Sequence, residues 1–125
     1  MTSRPAICLF CCLNAAVLRN GLADVLYDTS PVAPGHALII PVRHVADCFD
    51  TTREEREAML NLADEVRALL EGKYHPDGYN LGINVGEAAG QTIFHAHLRL
   101  IPRYRGDVKN PRGGVRGVIP NRQQY

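Results

Sequence analysis

Thr92-Ile93-Phe94-His95-Ala96-His97-Leu98-Arg99-Leu100-Ile101 alternates in side-chain character with a period of two, the repeat of a β-strand whose successive side chains point to opposite faces. Thr92, Phe94, Ala96, Leu98 and Leu100 fall on one face, expected to be core, and Ile93, His95, His97, Arg99 and Ile101 on the other. Residues two apart on a strand have α-carbons about 6.6 Å apart, so His95, His97 and Arg99 form a candidate catalytic row suited to phosphate. An imidazole is largely neutral at pH 7, so His97 can attack phosphorus without a separate base. Arg99 offers a permanent charge and a planar fork of donors that matches phosphate oxygens. Backbone N–H groups of the neighbouring glycine-bounded loop, Gly86 to Gly90, could hold the same anion. The spacing also admits histidines simply packed into a sheet, and a catalytic zinc shared by His95 and His97.

Upstream, Tyr79, Leu81, Ile83 and Val85 alternate with Asn80, Gly82 and Asn84, which predicts a half-buried strand over 79–85. Before it, Thr52 and Glu55 form a capping box, and Met59, Leu62, Ala63, Val66, Leu69 and Leu70 mark one apolar helix face. A helix of about five turns is expected, with Gly72 as its C′ residue and Pro76-Asp77-Gly78 as the following turn. Ala37-Leu38-Ile39-Ile40 reads as a buried strand ending at Pro41. Val17–Arg19 and Leu22–Asp28 flank Asn20-Gly21, expected to supply the two positive φ angles of a tight hairpin. Hairpins, one long helix and no βαβ repeat predict an α+β fold on an antiparallel sheet.

A chain of 125 residues, 46 % apolar and 22 % charged, is one ordinary globular domain. The mostly apolar stretch from Ala6 to Leu18 falls short of the roughly 20 residues a membrane span requires, and no membrane segment is expected. Cys8, Cys11 and Cys12 cluster while Cys48 stands apart, a usage that suits an intracellular thiol or metal site and hence the cytoplasm. Cys8-Leu9-Phe10-Cys11 is a C-x₂-C knuckle without a second knuckle, so His44 and His95 are the natural residues to complete a closed, structural Cys₂His₂ site. Cys12 and Cys48 read as core thiols and His75 as a surface loop residue. Charge is uneven: eight basic and twelve acidic residues run through Pro102, against six basic residues and Asp107 from Arg103 onward. The basic tail, expected to be loop with at most one strand, suggests an anionic partner.

Gln91 to Ile101, with Tyr27-Asp28-Thr29-Ser30-Pro31, the segment Pro34 to Pro41 and Arg43-His44 in order upstream, resembles the histidine triad (HIT) superfamily over about residues 8 to 105. The resemblance implies a HIT-like antiparallel sheet of about five strands with one long helix, continuous across a homodimer. Residues 1–105 would be the HIT domain and 106–125 a basic tail of the same domain. It implies His97 as the nucleophile that takes a nucleotidyl group, Asp28 as a ribose contact, Asn84, Gln91 and Thr92 as phosphate-side contacts, and His36 as support for the row. It also implies structural zinc on Cys8, Cys11, His44 and His95. The third histidine of the motif is Arg99 here. Arginine holds phosphate but does not titrate near neutrality, so leaving groups needing protonation should suffer most. The expected activity is therefore a nucleotide hydrolase or nucleotidyl transferase acting at the α-phosphate of a dinucleoside polyphosphate or related nucleotide, with no membrane or specific nucleic-acid partner. The alternative is a non-catalytic nucleotide sensor.

Overall fold

The computed structural model describes residues 8–12 and 16–125, except for the Cys12 side chain. The expectation that Cys12 is a core thiol lies outside the described residues. A short helix, α1 (Leu9–Cys12), precedes β1 (Leu18–Arg19), β2 (Ala23–Tyr27) and β3 (Ala37–Pro41); the long helix α2 (Arg53–Tyr74) is followed by β4 (Gly78–Gly82) and β5 (Leu98–Arg103). The strands form one antiparallel sheet in the order β1-β2-β3-β5-β4. This is the expected five-stranded α+β arrangement, with β1 and β4 at its edges. No helix among the described residues is long and apolar enough to cross a membrane.

The hairpin between β1 and β2 differs from expectation by one residue. Asn20 N–H donates to the Ala23 carbonyl, so Gly21 and Leu22 are the central pair, and only Gly21 has positive φ, at 90°. Asn20 instead braces the turn from its first position, its side-chain oxygen accepting from the backbone of Leu22 and Ala23.

Helix α2 opens on the predicted capping box, with Thr52 and Glu55 exchanging side-chain-to-backbone hydrogen bonds. It buries Ala58, Met59, Leu62, Ala63, Val66 and Leu70 against Ala23, Val25, Ala37, Ile39, Leu98 and Leu100 of the sheet, while Leu69 stays exposed. Gly72 does not terminate it. The helix runs on to Tyr74 and closes on His75, exposed and left-handed at φ 53°, because Pro76 disfavours helical backbone in the residue before it. Gly35 is required where the connector between β2 and β3 passes over the helix end: its φ is +88°, and a Cβ there would lie 2.9 Å from Leu70.

Glu55 also chelates Arg43 through both carboxylate oxygens, at 2.8 and 3.1 Å. That guanidinium holds the buried Glu55 carboxyl below its ordinary value, against the opposing push of burial. A depressed folded-state pKa stabilises above the unfolded carboxylate value of about 4.3 and is lost as pH falls through the folded value. Glutamine at this position keeps the capping box and removes the charge. Denaturant titrations from pH 7 to pH 3 should therefore show the stability gap between wild type and Glu55→Gln closing as pH falls. A pH-independent gap would assign the loss to something other than the ion pair.

Three other expectations change. Strand β4 ends at Gly82 rather than Val85, and Leu81 and Ile83 are exposed at the sheet edge. Strand β5 starts at Leu98, because the preceding segment bonds elsewhere: Ala96 N–H donates to the Val45 carbonyl, and the Gln91 side chain takes the Ile93 carbonyl. Thr92 and Phe94 are consequently exposed and His95 and His97 buried, the reverse of a strand running from Thr92. Strand β5 continues through Pro102, beyond its last pairing with β3 at Ala37↔Leu100, where only β4 runs alongside and a missing N–H is tolerated. From Leu98 on the alternation holds, with Leu98, Leu100 and Pro102 buried and Arg99, Ile101 and Arg103 half-buried on the other face. The tail forms two 3₁₀ turns, Gly114–Val118 and Pro120–Arg122, and no strand. Cys48 is half-buried rather than core.

Candidate active site and metal centre

The sheet face turned away from α2 carries the candidate site. Leu26, Leu38 and Ile40 pack there with Phe10 from α1, and a cleft of about 350 Å³ opens beside them, lined by Tyr27, Asp28, Ser30, Thr92, Ile93 and Arg99 among others. His97, immediately before β5, is almost fully buried, 4 % exposed, with Phe10 edge-on at 5.0 Å between ring centres. Its Nδ1 lies 2.8 Å from the His95 carbonyl oxygen. A carbonyl only accepts, so Nδ1 carries the proton and Nε2 keeps its lone pair. That lone pair faces Arg99, whose Nη2 is 3.5 Å away. Burial pushes the His97 pKa below its ordinary value; the carbonyl contact and Asp28 oppose this and Arg99 reinforces it. A neutral imidazole whose unprotonated nitrogen lies beside a fixed cation is suited to attack on a phosphoryl group.

Asp28, at the end of β2, lies 3.3 Å from Arg99 Nη1 and 3.5 Å from His36 Nε2. His36 is buried and accepts from the Val32 N–H through Nδ1, so its proton is on Nε2. Burial lowers its pKa, with Asp28 opposing. Asp28, His36, His97 and Arg99 thus come together from the ends of β2, β3 and β5.

His95 occupies a different compartment. It is fully buried, and its Nε2–H donates to the Pro41 carbonyl at 2.8 Å. Its Nδ1 lies 3.5 Å from Cys8 Sγ, 3.4 Å from Cys11 Sγ and 3.2 Å from His44 Nδ1, and Cys11 Sγ is 3.3 Å from His44 Nδ1. All four donor atoms lie within 4.8 Å of one another. Bond lengths of about 2.3 Å to sulfur and 2.0–2.1 Å to nitrogen, in a tetrahedron, put neighbouring donors roughly 3.3–3.8 Å apart. The donors therefore fit one tetrahedral metal ion, with the Cys₂His₂ set named from spacing. Both His95 nitrogens are engaged on that side, so none remains to share a metal with His97.

Thr92 lines the cleft. Gln91 is buried, and its amide is taken up internally by the Gly86 N–H and by the Ala46 and Ile93 carbonyls. It shapes the loop between β4 and the histidines. Asn84 is half-buried beside Gly90. In the glycine-bounded loop the N–H groups of Gly86, Ala89 and Gly90 donate within the segment. Phe10 escapes sequence reasoning. An apolar residue inside a C-x₂-C knuckle looks like filler, although here its ring stands between His95 of the Cys₂His₂ cluster and the cleft.

Residues 14–106 match the HIT domain family. An uncharacterized HIT-like protein of Mycoplasma genitalium is 35 % identical over 103 residues, 78 % of this chain and 73 % of its own. A bis(5′-adenosyl)-triphosphatase of Dictyostelium discoideum is 36 % identical over 71 % of this chain and 60 % of its own. The crystal structure of a zinc-bound histidine triad family protein from Mycobacterium smegmatis superposes with a TM-score of 0.74 at 33 % identity, covering 81 % of this chain and 78 % of that one.

Proposed function

The chain belongs to the HIT domain family, and from that premise we propose that it is a nucleotide hydrolase or nucleotidyl transferase working by double displacement through His97. The observation that carries the reading is the His97 imidazole, its Nδ1–H on the His95 carbonyl and its Nε2 turned to Arg99. In the first step Nε2 attacks the α-phosphorus: a P–N bond forms, the P–O bond to the leaving phosphate breaks, and the leaving oxygen keeps the electron pair. In the second step water or another acceptor attacks phosphorus, the P–N bond breaks, and the acceptor's proton passes to Nε2 or solvent, releasing the nucleotide product. Arg99 neutralises charge on the phosphoryl oxygens but donates no proton. Leaving groups that depart as stable anions are therefore favoured, which supports a dinucleoside polyphosphate over a phosphoramidate. The name of the Dictyostelium relative points the same way.

Asp28 contacts ribose, Thr92 and Asn84 serve the phosphate side, and Gln91 and His36 hold the surrounding loops. Zinc on Cys8, Cys11, His44 and His95 would supply a structural cross-link, tying the α1 knuckle to the segment that carries His97. A second copy would add to the sheet through the exposed edge around Leu81 and Ile83, in the cytoplasm.

Native mass spectrometry after brief mixing with a diadenosine polyphosphate, with the quench kept mild enough to preserve P–N bonds, tests both parts. The expected spectrum shows twice the chain mass with an added AMP that maps to His97. AMP binding with no adduct and no turnover would favour the nucleotide sensor, with Arg99 covering the His97 lone pair.

A further inference from the structure

Asp28 makes contacts that a simple ribose ligand would not need. Its Oδ1 accepts from the Ser30 N–H at 2.8 Å, which fixes the carboxylate at the start of the connector. Its Oδ2 points inward, 3.3 Å from Arg99 Nη1. The other amino group of the same guanidinium, Nη2, is 3.5 Å from His97 Nε2. One planar cation therefore spans the carboxylate and the nucleophile. A free arginine side chain samples many rotamers, and this contact selects the one that places Nη2 over the attacking nitrogen. His36 Nε2 lies 3.5 Å from the same oxygen yet has no hydrogen-bond partner, so the carboxylate is given to Arg99 in preference to the buried imidazole.

We propose that Asp28 is a positioning residue for Arg99: its carboxylate holds the guanidinium plane so that Nη2 meets the phosphoryl oxygens of the nucleotide that His97 attacks. The inference rests on the nucleotidyl-transfer reading. It departs from a ribose role in one respect. A ribose contact acts only on substrates that carry the 2′- and 3′-hydroxyls, whereas an anchor for Arg99 acts on every substrate.

Asp28→Asn keeps an acceptor for the Ser30 N–H and removes the charge. On a 2′,3′-dideoxyadenosine polyphosphate it should lower kcat at least about tenfold with little change in KM, and in an Arg99→Gln background the further loss should be under about twofold. Equal kcat for wild type and Asp28→Asn on the dideoxy substrate, or the same loss in both backgrounds, would overturn the proposal. An independent reading comes from NMR of ¹⁵N-arginine-labelled protein. Arg99 should show separate, slowly exchanging Nη1 and Nη2 signals in the wild type and a single averaged signal in Asp28→Asn; averaging in both would overturn the anchor whatever the turnover. Should the wild type turn over no nucleotide while the Arg99 signals still separate, the transfer reading fails and the anchor stands.

Discussion

His97→Gly is expected to lower kcat by at least about four orders of magnitude, the scale seen when a covalent nucleophile is removed, with AMP affinity within a few-fold of wild type. The residual activity would come from the groups that bind and neutralise phosphate rather than from attack. Because the ring is buried against Phe10, its removal also leaves a cavity, and a loss of activity alone would not separate chemistry from folding. Added imidazole makes the distinction. A free imidazole that fills the vacated space can attack phosphorus in place of Nε2, restore turnover and leave as a soluble nucleotidyl imidazole. Rescue that saturates with imidazole, without rescue by a similar volume of benzene, is the expected outcome. Wild-type turnover in His97→Gly would remove His97 from the mechanism.

Stripping metal from the purified protein should lower its melting temperature by more than about 10 °C, because metal that completes a fold contributes on the order of 10 kcal/mol and each kcal/mol moves a domain of this size by a few degrees. The loss should be local first. The four donors join α1, the residues after β3 and the segment before β5, so freeing them releases Phe10 from the cleft wall and the His95 carbonyl from His97 Nδ1. Activity and melting temperature should fall together and return together when zinc is restored. Cys11→Ser should reproduce the loss and resist repair by zinc. Chelation that abolished turnover at an unchanged melting temperature would instead indicate a metal in the chemistry. Elemental analysis giving one zinc per chain completes the test.

Where local chemistry decides, the sequence is readable. Thr52 and Glu55 announce the helix start because both partners of the capping box lie within one turn, and Leu98 to Arg103 keep their alternation because β3 and β4 hold that stretch flat. The Cys₂His₂ cluster is legible because few residue types bind zinc and the C-x₂-C spacing is narrow. Where the deciding partner is distant, the reading slips. The stretch from Thr92 to His97 looks like strand, but its backbone partners lie in the loop at Val45, which no periodicity reveals. Gly72 looked like a helix end because it competes with Pro76 four residues on, and the proline prevails. The Asp28–Arg99 pair joins residues far apart in the chain, so charge counting cannot detect it; Arg99 stands out from strand periodicity, Asp28 only through the family motif.

The division of strand β5 into two faces has a consequence for how this chain can vary. Leucines 98 and 100 seal the helix side while Arg99 and Ile101 line the opposite face, so structure and chemistry share one reading frame. Loss or gain of a single residue next to His97 would turn every following side chain over at once. Charge would enter the packed interior and leucines would enter the cleft. The connector from Asp28 to His36 and the chain beyond Arg103 carry no such two-sided phase, and lineage differences in length are expected to accumulate there while the six residues of β5 change only by substitution.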